Sequence, residues 1–234
     1  FEDFNDKVND NWFKFISLPS TKKKVISYHT ALDKNEFCSK RFIKRKYDIS
    51  IPGVEYHSRK IASRELKLSN YAFKIGKKSS GLRRKIISRL MQITKSKTIL
   101  RYYQDSYSKG INDSKTCFTC GSALMYTIRK FYEIPARGSL LLCEPLEPLK
   151  HLGFENKDNC IFVSLEDLDK KLYEIINDKS NIFQKVADNG REMMFSLHSI
   201  ETRAHQLYKM MLSIDQERFN GSEFLAGHLN IHEK

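Results

Sequence analysis

From residue 47 onward the sequence predicts an α/β fold, a Rossmann-like parallel sheet flanked by helices. Short β-rich runs alternate with stretches of helical periodicity, the pattern of strand–helix–strand units. Ser139–Cys143 reads Ser-Leu-Leu-Leu-Cys, a continuous apolar run suited to a strand covered on both faces. Two of the β-rich runs stop at glycine, at Ile51-Pro52-Gly53 and at Ile75-Gly76, where a strand would enter a loop.

Residues 1–46 read as irregular. Trp12, Phe13, Phe15 and Ile16 make a short apolar knot, which Pro19-Ser20-Thr21 and Lys22-Lys23-Lys24 break; the segment is expected to be a linker or the remnant of a missing N-terminal domain. Tyr47 to Gly53 reads as a strand, Arg59 to Ser69 as a helix, and Tyr71 to Gly76 as a second strand. Gly81 to Lys97 carries Leu82, Ile86, Ile87, Leu90 and Met91 at helical spacing on a basic background. Ile99 to Ile111 is a further helical stretch, Lys115 to Thr119 a strand, and Tyr126 to Ala136 a helix that stops before Gly138. Cys160 to Val163 is the next strand. Ser164 and Asp167 resemble a capping box for a helix striped by Leu168, Leu172 and Ile175. Helices over Ile182–Phe195 and Ser199–Leu212 follow. The expected domain spans 47–213, with a C-terminal tail at 214–234. In such sheets ligands sit at the carboxyl ends of the strands, so the candidate loops are Pro52–Arg59, Thr119–Arg129 and Glu144–Leu149.

A chain of 234 residues can bury one good core but hardly two full domains. No apolar run approaches the ~20 residues needed to cross a bilayer. The first residues have neither the basic lead nor the apolar core of a signal peptide. The sequence starts at Phe1 rather than Met, which suggests a processed product or a fragment. Five scattered cysteines form no disulfide framework, so a reducing, cytoplasmic setting is expected. Cys117-Phe-Thr-Cys120 has C-x-x-C spacing but lies on an expected strand with no second pair, which favours a structural role. The net charge of +13 is concentrated in residues 1–110, with clusters at Lys44-Arg45-Lys46 and Arg83-Arg84-Lys85. Such a field attracts nucleic acid, an anionic surface or phosphorylated ligands; the plainer alternative is a solvated, lysine-rich surface.

Arg129-Lys-Phe-Tyr-Glu-Ile-Pro-Ala-Arg-Gly-Ser-Leu-Leu-Leu142 resembles the R-x-F-E-x-P-A-x-G-x-L-L core of group 1 glycosyltransferase C-terminal domains, particularly the spore-coat-type branch. Tyr47 to Gly53 with Tyr56 and Arg59 is similar to the opening of the same domain, and Asn112-Asp-Ser-Lys115 to the lead into its middle strand. Val186-Ala-Asp-Asn-Gly-Arg191, His198-Ser199 and Arg203-Ala204 resemble its ending. The resemblance covers about residues 47–211. It implies the C-terminal half of a GT-B glycosyltransferase, which holds a nucleoside-diphosphate sugar as donor substrate, commonly with no bound metal or other cofactor. The missing N-terminal domain would supply most contacts to the acceptor, whether glycan, protein or small molecule. The implied donor-binding residues are Gly53, Tyr56, Arg59, Lys115, Arg129, Glu133, Ala136 and Gly138.

Residue chemistry supports several of these. Gly53 would let the backbone approach a diphosphate, Arg59 and Arg129 would offset phosphate charge, and Glu133 would accept two ribose hydroxyls. Each has a plainer reading: a strand end for Gly53, surface ion pairs for the arginines, a first-turn acid for Glu133. His198 reads as a packed or capping histidine, and His228 with His232 as a poor zinc pair. Many retaining relatives carry a second Glu eight residues before the Glu133 position; here that residue is Met125, which leaves the stereochemistry open. No general base stands out. A non-enzymatic basic module that binds nucleic acid or an anionic surface is the alternative from another class, and a degenerate transferase kept as a scaffold is a third.

Overall fold

The computed structural model describes residues 29–53, 58–66, 71–75, 106–121 and 126–234. Five parallel strands form its centre: β1 (Tyr47–Ile51), β2 (Phe73–Ile75), β3 (Ser114–Thr119), β4 (Leu140–Cys143) and β5 (Ile161–Phe162), in the spatial order β2-β1-β3-β4-β5. The apolar run at β4 is continuous because both faces are covered. Leu141 and Cys143 join Cys117 of β3 in one core, while Leu140 and Leu142 join Phe118, Ile49 and Ile51 in the other. The first core is closed by α2 (Lys130–Ala136), α3 (Glu147–His151) and α5 (Ile182–His198). The second is closed by α1 (Ser58–Leu66) and α4 (Leu168–Ile176). Helix α6 (Ile200–Asp215) follows α5 directly, with the Ser199 side chain accepting from the Thr202 amide between them.

Three local devices shape the part of the fold that matters for the site. Helix α2 begins at Lys130 rather than at Tyr126; β-branched Thr127 and Ile128 lie just outside it. It ends in a Schellman motif: Ser139 N–H donates to the Ile134 carbonyl, Gly138 N–H to that of Pro135, and Gly138 takes φ +64°. A Cβ at Gly138 would lie 2.9 Å from the Cys38 carbonyl oxygen, so this glycine is fixed by chain geometry. Helix α5 meets the rest of the domain closely at Gly190, where a Cβ would come within 2.5 Å of the Asn159 carbonyl oxygen and 3.2 Å of Pro135.

The two ends of the chain differ from the sequence expectation. Residues 29–46, expected as linker, are packed onto the sheet domain: Leu32 is fully buried, and its amide and carbonyl bridge to His198 and Ile200. Buried Arg45 donates to the carbonyls of Lys40, Ile111, Asn112, Ser114 and Arg137, bolting this segment to the amino edge of the sheet. The expected tail holds an antiparallel hairpin, β6 (Phe219–Leu225) and β7 (His228–Glu233), turned at Ala226-Gly227 with both residues at positive φ. Phe224 seats it in the core. His228 and His232 therefore lie on a strand; His232 pairs with Glu223 across the hairpin. The expected helix at Gly81–Lys97 lies outside the described residues, as does the first half of the one at Ile99–Ile111; residues 106–112 are helical. Among the described residues no helix is long and apolar enough to cross a membrane.

Candidate functional site

From β1 the chain passes to β2 on one side and to β3 on the other, so the order of strands reverses at β1. A crevice at the carboxyl ends of β1 and β3 is where this topology receives ligands. Gly53 follows β1 with φ +87°. Arg59, from the first turn of α1, is fully buried and donates from Nη1 to the Pro52 carbonyl at 3.2 Å. Lys130, the first residue of α2, arrives over the same glycine: a Cβ on Gly53 would lie 2.5 Å from Lys130 Cε, 3.0 Å from Nζ and 3.5 Å from Arg59 Nη1. Two cations thus flank one glycine.

Electrostatics at this point reflect that crowding. Burial lowers the pKa of Lys130, and the Arg59 charge lowers it further. Burial pushes the Cys120 thiol up, against the pull of Arg59 beside it. Ser58 donates to Glu144, beyond the end of β4, at 2.8 Å and so ties the start of α1 to the same edge. Removing positive charge from water beside another cation is unfavourable until an anion arrives.

Glu133 sits one turn into α2. It accepts from Tyr107 at 2.7 Å and from Arg129 at 2.8 Å. Arg129 also reaches both carboxylate oxygens of Glu36, at 2.7 and 2.8 Å. Burial opposes the charge of Arg129, yet these two acids leave its pKa raised. Tyr107 is pushed up by burial and then by Glu133. The plainer reading of Arg129, an ion pair with acids, is what the structure shows.

The structure therefore brings Gly53 and Arg59 together and places Glu133 and Arg129 on the helix that carries Lys130. Three other expected residues lie at the opposite, amino edge of the sheet. Lys115 pairs with Asp48 at 2.8 Å near the start of β3, Ala136 is buried at the end of α2, and Gly138 forms the Schellman turn. A seven-residue helix separates them from the crevice by ~10 Å. Tyr56 and Met125 lie outside the described residues. Lys130 escaped the sequence reading because it occupies the variable position of R-x-F-E; its place at the first turn of a helix beside the crevice was the available signal.

Other expectations resolve as packing. His198 is fully buried; its Nε2 meets the Leu152 carbonyl at 2.9 Å, and its Nδ1 accepts from Arg203. Cys117 and Cys120 are buried, and neither is in a disulfide. No group of three or more His, Cys, Asp or Glu able to hold a metal occurs among the described residues. Of the basic N-terminal portion, Arg45 is buried and Lys40 pairs with Asp113 at 2.6 Å. These two side chains are committed to the fold, whereas Arg41, Lys44 and Lys46 are exposed and the clusters at 22–24 and 83–85 lie outside the described residues.

With this geometry in place, comparison with known proteins identifies the architecture. The family described as "Glycosyl transferase-like" matches residues 74–209, more than half of the chain. No curated protein sequence matches. Among solved structures, the GtfA/B complex aligns over 80% of this chain and 39% of its own, with 10% identity and a TM-score of 0.50. The C-terminal domain of a group 1 family glycosyl transferase (LpcC) from Francisella tularensis aligns over 73% of this chain and all of its own, at 14% identity and a TM-score of 0.46. TarM aligns over 79% and 37%, at 14% identity and a TM-score of 0.47. The chain spans about two fifths of the GtfA/B chain it matches. The fold is a Rossmann-like parallel sheet flanked by helices, of the kind found in GT-B glycosyltransferases, and the chain belongs to the glycosyl transferase-like family.

Proposed function

We propose that the chain is the donor-binding domain of a glycosyltransferase, moving a sugar from a nucleoside-diphosphate sugar to an acceptor hydroxyl. The observation that supports this most is Gly53 flanked by Lys130 and Arg59 at the strand-order reversal. A diphosphate needs close backbone approach and fixed positive charge. Gly53 offers the first, and two partly desolvated cations offer the second. Glu133 lies on the same helix as Lys130. It has lone pairs beyond the two hydrogen bonds it accepts, enough for ribose hydroxyls.

In the reaction, the acceptor oxygen bonds to the anomeric carbon as the bond from that carbon to the diphosphate oxygen breaks. Negative charge grows on the departing diphosphate, and preorganised cations stabilise such charge more in the transition state than in the substrate. Arg59 and Lys130 fill that role; Gly53 keeps the approach open. The acceptor proton passes to a base that we assign to a part of the enzyme outside the sheet domain, so this chain alone binds nucleotide but turns over poorly. Titrating UDP, GDP, ADP and TDP into wild type and Glu133→Ala tests the proposal. One nucleotide should bind selectively and lose at least 10-fold in Glu133→Ala. Absence of binding by all four, alongside salt-sensitive binding of DNA or RNA, overturns it.

A further inference from the structure

Three stretches of the chain meet at the Glu133 carboxylate. Tyr107, from the helical residues 106–112 ahead of β3, donates its hydroxyl to Oε2 at 2.7 Å. Arg129 donates from Nε to Oε1 at 2.8 Å. The Arg129 Nη2 donates in turn to both oxygens of Glu36, at 2.7 and 2.8 Å. Glu36 is itself fixed, because its Oε1 also accepts from the Asp33 amide at 3.0 Å in a capping box.

Charge balance does not account for Tyr107. Arg129 faces two acids, and Glu36 alone would balance its charge. The Tyr107 hydroxyl adds no charge; burial and then Glu133 raise its pKa, so it stays a donor. Its ring packs against the core that includes Ile111, Cys117 and Phe131, and that packing needs no hydroxyl. What the hydroxyl adds is orientation. Arg129 is half-exposed and grips one oxygen, about which the carboxylate can turn. A second donor on the other oxygen, carried by a ring anchored in the core, fixes the carboxylate plane. Each oxygen is then left with one lone pair. We propose that Tyr107 is a positioning residue of the donor site: it holds Glu133 so that its two oxygens accept together from the vicinal 2′- and 3′-hydroxyls of a ribose. This rests on the reading of Glu133 given under the proposed function. It makes the site selective for ribonucleoside diphosphates, and it sets Arg129 to work at Glu133 rather than at phosphate. Without the tyrosine donor, part of what the second hydroxyl contributes is lost in freezing a mobile carboxylate.

Calorimetric titration of the full chain with UDP, GDP and ADP, each beside its 2′,3′-dideoxy counterpart, tests this. For the base that binds best, wild type should favour the ribose form by at least about 10-fold, the worth of hydrogen bonds to a charged group. Tyr107→Phe keeps the packed ring, so the fold is retained, which thermal melts check. It should cut the preference to about 3-fold or less while affinity for the dideoxy form stays within about 2-fold. In Glu133→Ala the preference should vanish, and adding Tyr107→Phe should change nothing further. A tyrosine with only a structural role would weaken both forms alike or neither. Either result, with Glu133→Ala still abolishing the preference, overturns the role of Tyr107 and leaves that of Glu133 standing. A preference that survives Glu133→Ala, or no binding of any nucleotide, removes Glu133 from the ribose and overturns both.

Discussion

Lys130 lies over Gly53 so closely that a methyl group on the glycine would meet its Cε at 2.5 Å. These two residues are 77 positions apart, and the parallel sheet brings them together by setting the end of β1 beside the helix that follows β3.

Gly53→Ala should therefore harm binding more than folding. The clash is with the far end of a flexible side chain, which can swing away, but φ +87° strains any L-residue by about 1–2 kcal/mol. We expect the melting temperature to fall by a few degrees, as a domain of this size converts that strain. Affinity for the nucleoside diphosphate should drop by at least 10-fold as Lys130 is displaced. Thermal melts and calorimetry on the same preparation separate the two effects.

Nucleotide affinity should weaken with rising pH before an ordinary lysine would titrate. Burial and Arg59 lower the pKa of Lys130 from 10.5, so its ammonium form, the one that binds phosphate, is lost earlier on the alkaline side. Lys130→Arg should flatten the profile, because guanidinium stays charged throughout. A profile identical in the two proteins would remove Lys130 from the site.

Gly190→Ala should destabilise without touching the crevice. The added methyl would press on the Asn159 carbonyl oxygen at 2.5 Å and on Pro135, both held by the fold. Overpacking of this kind costs about 1–3 kcal/mol. Denaturant unfolding should show that loss, while nucleotide affinity well below the melting temperature stays within 2-fold.

His198 should make the fold sensitive to acid. Burial, the Arg203 charge and, more weakly, His29 and His228 lower its pKa to about 3, whereas the Leu152 carbonyl raises it. The unfolded chain takes up a proton near pH 6.5 that the folded chain refuses. Stability is therefore full above pH 6.5 and falls as pH drops from there toward 3. From pH 7 to 5 the loss from this residue is about 2 kcal/mol. His29, lowered to about 4 mainly by burial, acts in the same direction. His198→Gln retains a donor for Leu152 and an acceptor for Arg203, and it should show a shallower decline in melting temperature.

The sheet was legible because β4 is apolar on both faces, and that property shows in sequence without knowledge of neighbours. Gly53 and Arg59 were legible from a strand, a glycine and a helix in succession. Lys115, Ala136 and Gly138 came from linear strings that mix two kinds of residue. The segment from Pro135 to Ser139 mainly ends a helix, and Lys115 balances Asp48. Lys130 was hidden because its contact with Gly53 is tertiary. The C-terminal hairpin was missed because β7 is mostly polar and exposed, and its turn signal is only Ala226-Gly227.

Whether Gly53, Arg59 and Lys130 receive a diphosphate is decided by one calorimetric comparison. The preferred nucleotide is titrated as diphosphate and as monophosphate into wild type and Lys130→Ala. Wild type should favour the diphosphate by at least 10-fold, and Lys130→Ala should reduce this preference to about 3-fold or less. An undiminished preference in Lys130→Ala would contradict this assignment.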